Sequence, residues 1–310
     1  MNQTTRTTRP LISALSGVLS LSRAPLLLLE AMMVITWSSG FVGARFSIDY
    51  APALLVVFWR CVVVTLFLLP FVIKTLRCVH PAVLLQHAGI GLLAMAGYLI
   101  GVVQGIALGV PTGLAALLAD LLPIGTALLS VTVLGQRLSG KVWLGLAIGL
   151  GGVLLVTYDA LAWGDAPLWA YGLPILGMLS LAVATLWQKH CRLSHPLGLL
   201  PTMWLQCAVS AVVFAVLADW QGSLWPIPTA GFALSVFWTA AISTLGGYGL
   251  YWVCLRRSSP TRVASVLYLS PAVTLVWAWM MFGEPLSWLM LVGAAVSAGG
   301  ILLVVRADKT

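Results

Sequence analysis

The chain has 310 residues, 61% of them hydrophobic and only 8% charged, with a formal net charge of +8. A soluble domain carries about a quarter charged residues, so there is too little charge here to cover a water-facing surface. The apolar residues run in stretches of roughly 20, the length of a helix that spans a bilayer, and not in the short alternating strands of a membrane barrel; an all-α membrane protein is expected.

Residues 1–25 carry Arg6, Arg9 and Arg23 and are expected to lie as a cytoplasmic, interfacial segment on the inner leaflet. The stretch RTTRPLISALSGVLSLSRA also has the basic start, short apolar core and small residues (Ser22, Ala24) of a cleavable secretory signal. Ten hydrophobic spans follow, at 26–48, 53–73, 82–107, 112–134, 141–159, 168–189, 197–218, 229–255, 261–282 and 286–305, joined by short connections rich in Pro, Gly and polar residues.

The first span holds Trp37, Ser38 and Ser39, with Glu30 seven residues from Arg23. Arg60 lies eight residues into the second, counted from Pro52, and Asp120 eight residues into the fourth, counted from Thr112. At 1.5 Å per residue both are about 12 Å deep. An ionisable group at that depth costs several kcal/mol unless paired or neutralised. Arg60 and Asp120 are therefore read as an ion pair or shared polar network, or Asp120 as a group that handles substrate or protons. The third span carries Tyr98 and Gln104 and the series Gly97, Gly101, Gly105 and Gly109, a spacing that lets helices approach closely. Pro123 and Pro271 sit in the fourth and ninth spans. Each removes an N–H and frees the carbonyl four residues back, Ala119 and Leu267; these prolines are hinge candidates facing the pathway, or ordinary packing kinks. Trp187 and Gln188 lie on the sixth span and Tyr268 on the ninth. Thr244, Tyr248 and Tyr251 share one face of the eighth, beside Trp252. Trp143, Trp163, Trp169, Trp220, Trp225 and Trp288 fall near span ends, as interfacial anchors do.

Orientation follows from Lys and Arg in the loops. With the N- and C-termini in the cytoplasm, 14 of the 16 basic residues lie at cytoplasmic ends, while Asp49, Asp159, Asp165, Asp219 and Glu284 lie outside. The +8 is then the trace of topology and no sign of a nucleic-acid partner. Cleavage of the signal-like segment would invert every later loop against this bias. The five cysteines are odd in number, show no metal-ligand spacing, and read as free thiols.

GQRLSGKVWLGLAIGLGGVLLV at 135–156 recurs as GEPLSWLMLVGAAVSAGGILLV at 283–304, identical at 10 of 22 positions. Five spans separate the copies. Five is odd, so the copies face opposite ways, and the charge before the apolar run changes from Arg137 and Lys141 to Glu284. Each half, 26–160 and 161–310, is thus expected to be one five-helix unit of an inverted repeat, the arrangement by which secondary transporters present one site alternately to each side. The GxxxxGK at 135–141 resembles a phosphate loop, but Val142 follows where Ser or Thr should bind magnesium and a span precedes it; a gradient, not ATP, is expected to drive the protein.

The WSSGFVGARFS of the first span, the two GxxL hinges ahead of GG-[VI]-LLV and the 5+5 layout resemble the EamA family of the drug/metabolite transporter superfamily, and, more narrowly, YddG-type amino-acid exporters. The resemblance implies a multi-pass plasma (inner) membrane protein, working as a monomer, that exports small metabolites, often amino acids, through a central cavity between the repeats. Substrate-binding candidates are Trp37, Ser38, Tyr98, Gln104, Trp187, Gln188, Tyr248, Tyr251, Trp252 and Tyr268. Asp120 and Arg60 form the coupling or polar network, and no metal or cofactor is called for. The alternative reading is a multidrug exporter of lipophilic cations, for which Asp120 or Glu30 would be essential. No catalytic constellation appears at mid-depth, so an enzyme is not expected.

Overall fold

The computed structural model describes residues 24–307 apart from 134, 136, 164–165, 191–196, 223, 259–262 and 264–265. The segment expected at the inner leaflet therefore lies outside the described residues except for its last two, as do Asp165, Arg192, Arg262 and Lys309. The chain is helical, with no strand among the described residues. The helices are α1 Leu26–Ile48, α2 Ala53–Arg77, α3 Pro81–Ala107, α4 Thr112–Thr132, α5 Gly140–Trp163, α6 Gly172–His190, α7 Leu199–Trp220, α8 Ala230–Cys254, α9 Ser270–Phe282 and α10 Trp288–Ala307. Through α8, each is long and apolar enough to cross a bilayer, and α9 and α10 are shorter apolar helices. The protein is a multi-pass membrane protein.

Loop prolines start several helices. Pro25, Pro52 and Pro111 stand just before α1, α2 and α4 with extended backbone, and Pro81 opens α3, a place where a missing N–H costs nothing. α2 runs past the expected residue 73 to Arg77, so Lys74 and Arg77 fall in its last turn, where cations suit the helix dipole. The repeated GxxL glycines, Gly135 and Gly283, both adopt positive φ, 63° and 66°. They are the left-handed residues at which the chain leaves α4 and α9. Gly283→Ala is expected to cost about 1 kcal/mol, seen as a melting temperature a few degrees lower in detergent.

The two copies of the repeated segment pack on each other. A Cβ on Gly145 would stand 2.6 Å from the Gly300 carbonyl oxygen, and one on Gly152 would stand 2.5 Å from that of Gly293. Residue 145 thus faces 300, and 152 faces 293. α5 and α10 run antiparallel, as an inverted repeat requires. The other large contacts follow the same two-fold logic: α2 lies on α7, α4 on α9, α1 on α8 and α3 on α6. Thr36 of α1 sits against Gly246 and Gly247 of α8; its counterpart Ser180 of α6 sits against Gly97 of α3. The α3 glycines are a packing stripe. Gly97, Gly101 and Gly105 meet Ser180, Leu173 and Pro174, and Gly109, outside the helix at φ 96°, meets Ala166.

Both prolines break their helices. α4 pauses in a turn at Asp120–Leu121 ahead of Pro123, and α9 begins only after a turn at Tyr268–Leu269 ahead of Pro271. The ninth span is therefore not the continuous 261–282 helix expected from hydropathy. Asp120 and Tyr268 each precede the proline by three residues, so they occupy equivalent places in the two halves. The third and eighth spans match as well: each contains a widened π segment, Leu92–Gly97 in α3 and Trp238–Tyr248 in α8. Such segments free carbonyls and gather at functional sites.

Candidate functional site

The breaks and π segments converge on the middle of the bundle. Trp37 of α1 is the hub. Its ring lies 5.1 Å from Tyr248, 5.5 Å from Tyr251 and 6.3 Å from Tyr98, and Tyr251 meets Trp252 edge-on at 5.7 Å. Tilted and edge contacts at these separations suit aromatic quadrupoles. Trp37, Tyr98 and Tyr248 also line a cavity of about 30 Å³ with Gly40, Phe41, Arg60, Val102 and Ser243. That volume holds about two waters.

A buried guanidinium and a buried carboxyl group meet this aromatic cluster. Arg60 is 3% exposed and lines the cavity. Its Nε donates to Thr244 Oγ1 at 2.5 Å, and that hydroxyl donates to the Thr239 carbonyl, five residues back across the π segment. Asp120 is 8% exposed, with Trp37 and Ser270 flanking its carboxyl. Among the described residues no well-aligned hydrogen bond reaches Asp120 Oδ2, Trp37 Nε1 or Ser270 Oγ, although Trp37 and Ser270 stand within reach of the carboxyl; Tyr248 Oη, Tyr268 Oη, Trp252 Nε1 and Thr274 Oγ1 are also buried without a partner there. Such atoms are rare in folded proteins, and here several lie around one hub. The structure does not form an Arg60–Asp120 ion pair; Arg45 instead pairs with Asp49 and Glu284 near the loops. The two groups share a cluster, not a contact.

Ser38 is buried and donates to the Ser270 carbonyl at 3.2 Å, tying α1 to α9 beside Asp120. Trp187 is 39% exposed and packs over Gly89 of α3, and Gln188 and Gln104 are half-buried. None of these three lines the cavity. The spacing of amides and rings along a span says how deep they lie, but not which way the helix is turned. Glu30 of α1 is 3% exposed. Phe41, Ser243, Ser270 and Thr274 were missed. The signal for Ser270 was its place directly before Pro271.

At the acidic end of the bundle the halves are fastened. The Thr112 N–H and hydroxyl both donate to the Glu284 carboxylate, the N–H at 2.8 Å. Arg45 Nε lies 3.9 Å from the same carboxylate, while its guanidinium holds Asp49 at 2.8 Å and covers the Phe282 ring at 4.9 Å. Ser287 donates to Asp159 close by. Glu284 thus caps the N-terminus of α4 from the other half, where a carboxylate is favoured.

Residues 24–158 and 168–306 each match the EamA-like transporter family. Among curated relatives, the chain is 26% identical over 284 residues to a probable amino-acid metabolite efflux pump of Escherichia coli (strain K12), covering 89% of this chain and 93% of that protein. It is 25% identical over 276 residues to the uncharacterized inner membrane transporter YedA of the same strain, with 88% of each covered. It is 27% identical over 197 residues to a probable terminal-alkyne amino-acid exporter of Streptantibioticus cattleyicolor, covering 64% and 65%. A solved crystal structure with 18% identity superposes at a TM-score of 0.64 over 92% of this chain and 98% of its own; at that identity the likeness concerns the fold.

Proposed function

The chain belongs to the EamA-like transporter family, and we propose that within it this protein is an inner-membrane secondary transporter that exports amino acids, aromatic ones included, or similar small metabolites. The two halves, 26–160 and 161–310, rock about the site between them to give alternating access. By the positive-inside bias, the basic ends and both termini are cytoplasmic and the Glu284 end is external. The observation that carries the reading is the aromatic cage centred on Trp37, with one buried carboxyl and one buried guanidinium beside it and several unpartnered polar atoms around it. Rings accept the apolar part of a solute and also an ammonium group. The names of the efflux-pump and exporter relatives point the same way. Arg60 beside the cage disfavours a simple lipophilic cation.

The cavity of about 30 Å³ is smaller than an amino acid, so loading requires the halves to separate from this closed arrangement. Purified protein in liposomes is expected to exchange labelled amino acid down its gradient with no nucleotide present. Protein-free liposomes and a Trp37→Ala variant set the baseline, and the variant should lose most of the exchange. Wild-type exchange no faster than in empty vesicles, for aliphatic, aromatic and hydroxylated amino acids alike, would reject the reading.

A further inference from the structure

Arg60 and Asp120 each stand eight residues along from Pro52 and Thr112, a count that predicts similar depth, and both adjoin the rings of the Trp37 cluster. Tyr98 is within electrostatic reach of both. Charges so deep in a bilayer are costly and need compensation. The shortest route is a salt bridge between the two, and the structure does not take it. Among the described residues Arg60 donates through Nε, to Thr244, and its planar fork suits a carboxylate. Asp120 stands within hydrogen-bonding reach of Trp37 and Ser270, but its Oδ2 has no well-aligned partner among the described residues, which leaves a carboxyl oxygen able to take an ammonium. The α4 break at Asp120–Leu121 and the π segment that carries Thr244 place these groups. Both devices interrupt regular helix, and both serve the same spot.

We propose that Arg60 and Asp120 are the two poles of a zwitterion site: Arg60 takes the α-carboxylate of the substrate, Asp120 takes its α-ammonium, and the Trp37 cluster takes the side chain. The substrate completes the ion pair that the protein leaves open. This rests on the amino-acid reading above and narrows it, since amines without a carboxylate and acids without a free amino group leave one pole uncompensated. A site built to bond a polar group strongly rejects analogues that lack it.

The test uses the full-length protein in liposomes with labelled phenylalanine, leucine and threonine as probes. The fastest is then challenged with its decarboxylated amine and its N-acetyl derivative as competitors. The wild type should bind each analogue about tenfold or more weakly than the parent amino acid. Arg60→Met should abolish discrimination against the amine and keep it against the N-acetyl derivative; Asp120→Asn should do the reverse. Thr244→Val, which frees the guanidinium, should weaken the amino acid more than the amine. Movement of none of the three probes rejects the amino-acid reading itself. Movement with equal competition by the analogues, or variants that lower all solutes in proportion, overturns the two-pole site and leaves that reading standing. Where a variant does not fold, the wild-type competition decides alone.

Discussion

Gly152→Leu is expected to prevent stable assembly of the protein, whereas Gly151→Leu, one residue away, should be tolerated. A Cβ at 152 would stand 2.4 Å from the Ser297 nitrogen and 2.5 Å from the Gly293 carbonyl oxygen. Both are backbone atoms, so no rotamer change relieves the clash; α5 and α10 must move apart. Overpacking that a side chain can relieve costs about 1–3 kcal/mol, and a backbone clash across the contact between the halves exceeds it. At 151 nothing lies within 4 Å. The second copy makes the same prediction, since a Cβ on Gly300 would meet the Gly149 nitrogen at 2.3 Å while Gly299 meets nothing. Thermal stability in detergent, followed by size-exclusion chromatography, separates each pair. Equal melting of Gly151→Leu and Gly152→Leu would show that the helices do not touch along this stripe.

With the orientation proposed above, Glu284→Ala is expected to open the protein toward the outside. The carboxylate accepts two hydrogen bonds from Thr112 and faces Arg45, so its removal leaves the α4 N-terminus uncapped and the halves unfastened at that end. Hydrogen bonds to charged groups contribute about 1.5–3 kcal/mol each, and 1.4 kcal/mol is a tenfold change in population. Val103 is buried against the cavity. With Val103→Cys in a background lacking the native cysteines, a membrane-impermeant maleimide added outside should label about ten times faster or more when Glu284→Ala is present. Asp49→Ala should leave the rate unchanged, because its exposed pair with Arg45 is a surface ion pair of little weight. An unchanged labelling rate in Glu284→Ala would mean that the latch does not hold the external side shut.

Much of this was readable along the chain. Hydropathy placed the helices because a lipid-facing helix needs about 20 apolar residues, whatever its neighbours do. The inverted relation of the halves was readable because an odd number of spans reverses direction. Pro123 and Pro271 announced the breaks through a local cause, a missing N–H. The meaning of the repeated glycines was not readable. Gly151 and Gly152 look alike in sequence, and only the facing helix distinguishes the one that touches backbone.

The site divides in the same way. Depth along a span is a count of residues, so Arg60, Asp120, Trp37 and Tyr248 could be named as a mid-membrane group. Azimuth depends on how each helix is turned by its neighbours, so Trp187, Gln188 and Gln104, named on the same grounds, stand away from the cavity while Ser270 and Ser243 join the cluster or its cavity. The separation of Arg60 from Asp120 and the Thr112–Glu284 clasp are likewise products of packing between residues up to 172 positions apart. Sequence determined which residues form apolar helices of bilayer length and how far along each helix they stand, because those follow from the chain's own rise and polarity. Which of them meet was decided only by tertiary structure, because rotation about a helix axis leaves hydropathy and depth unchanged.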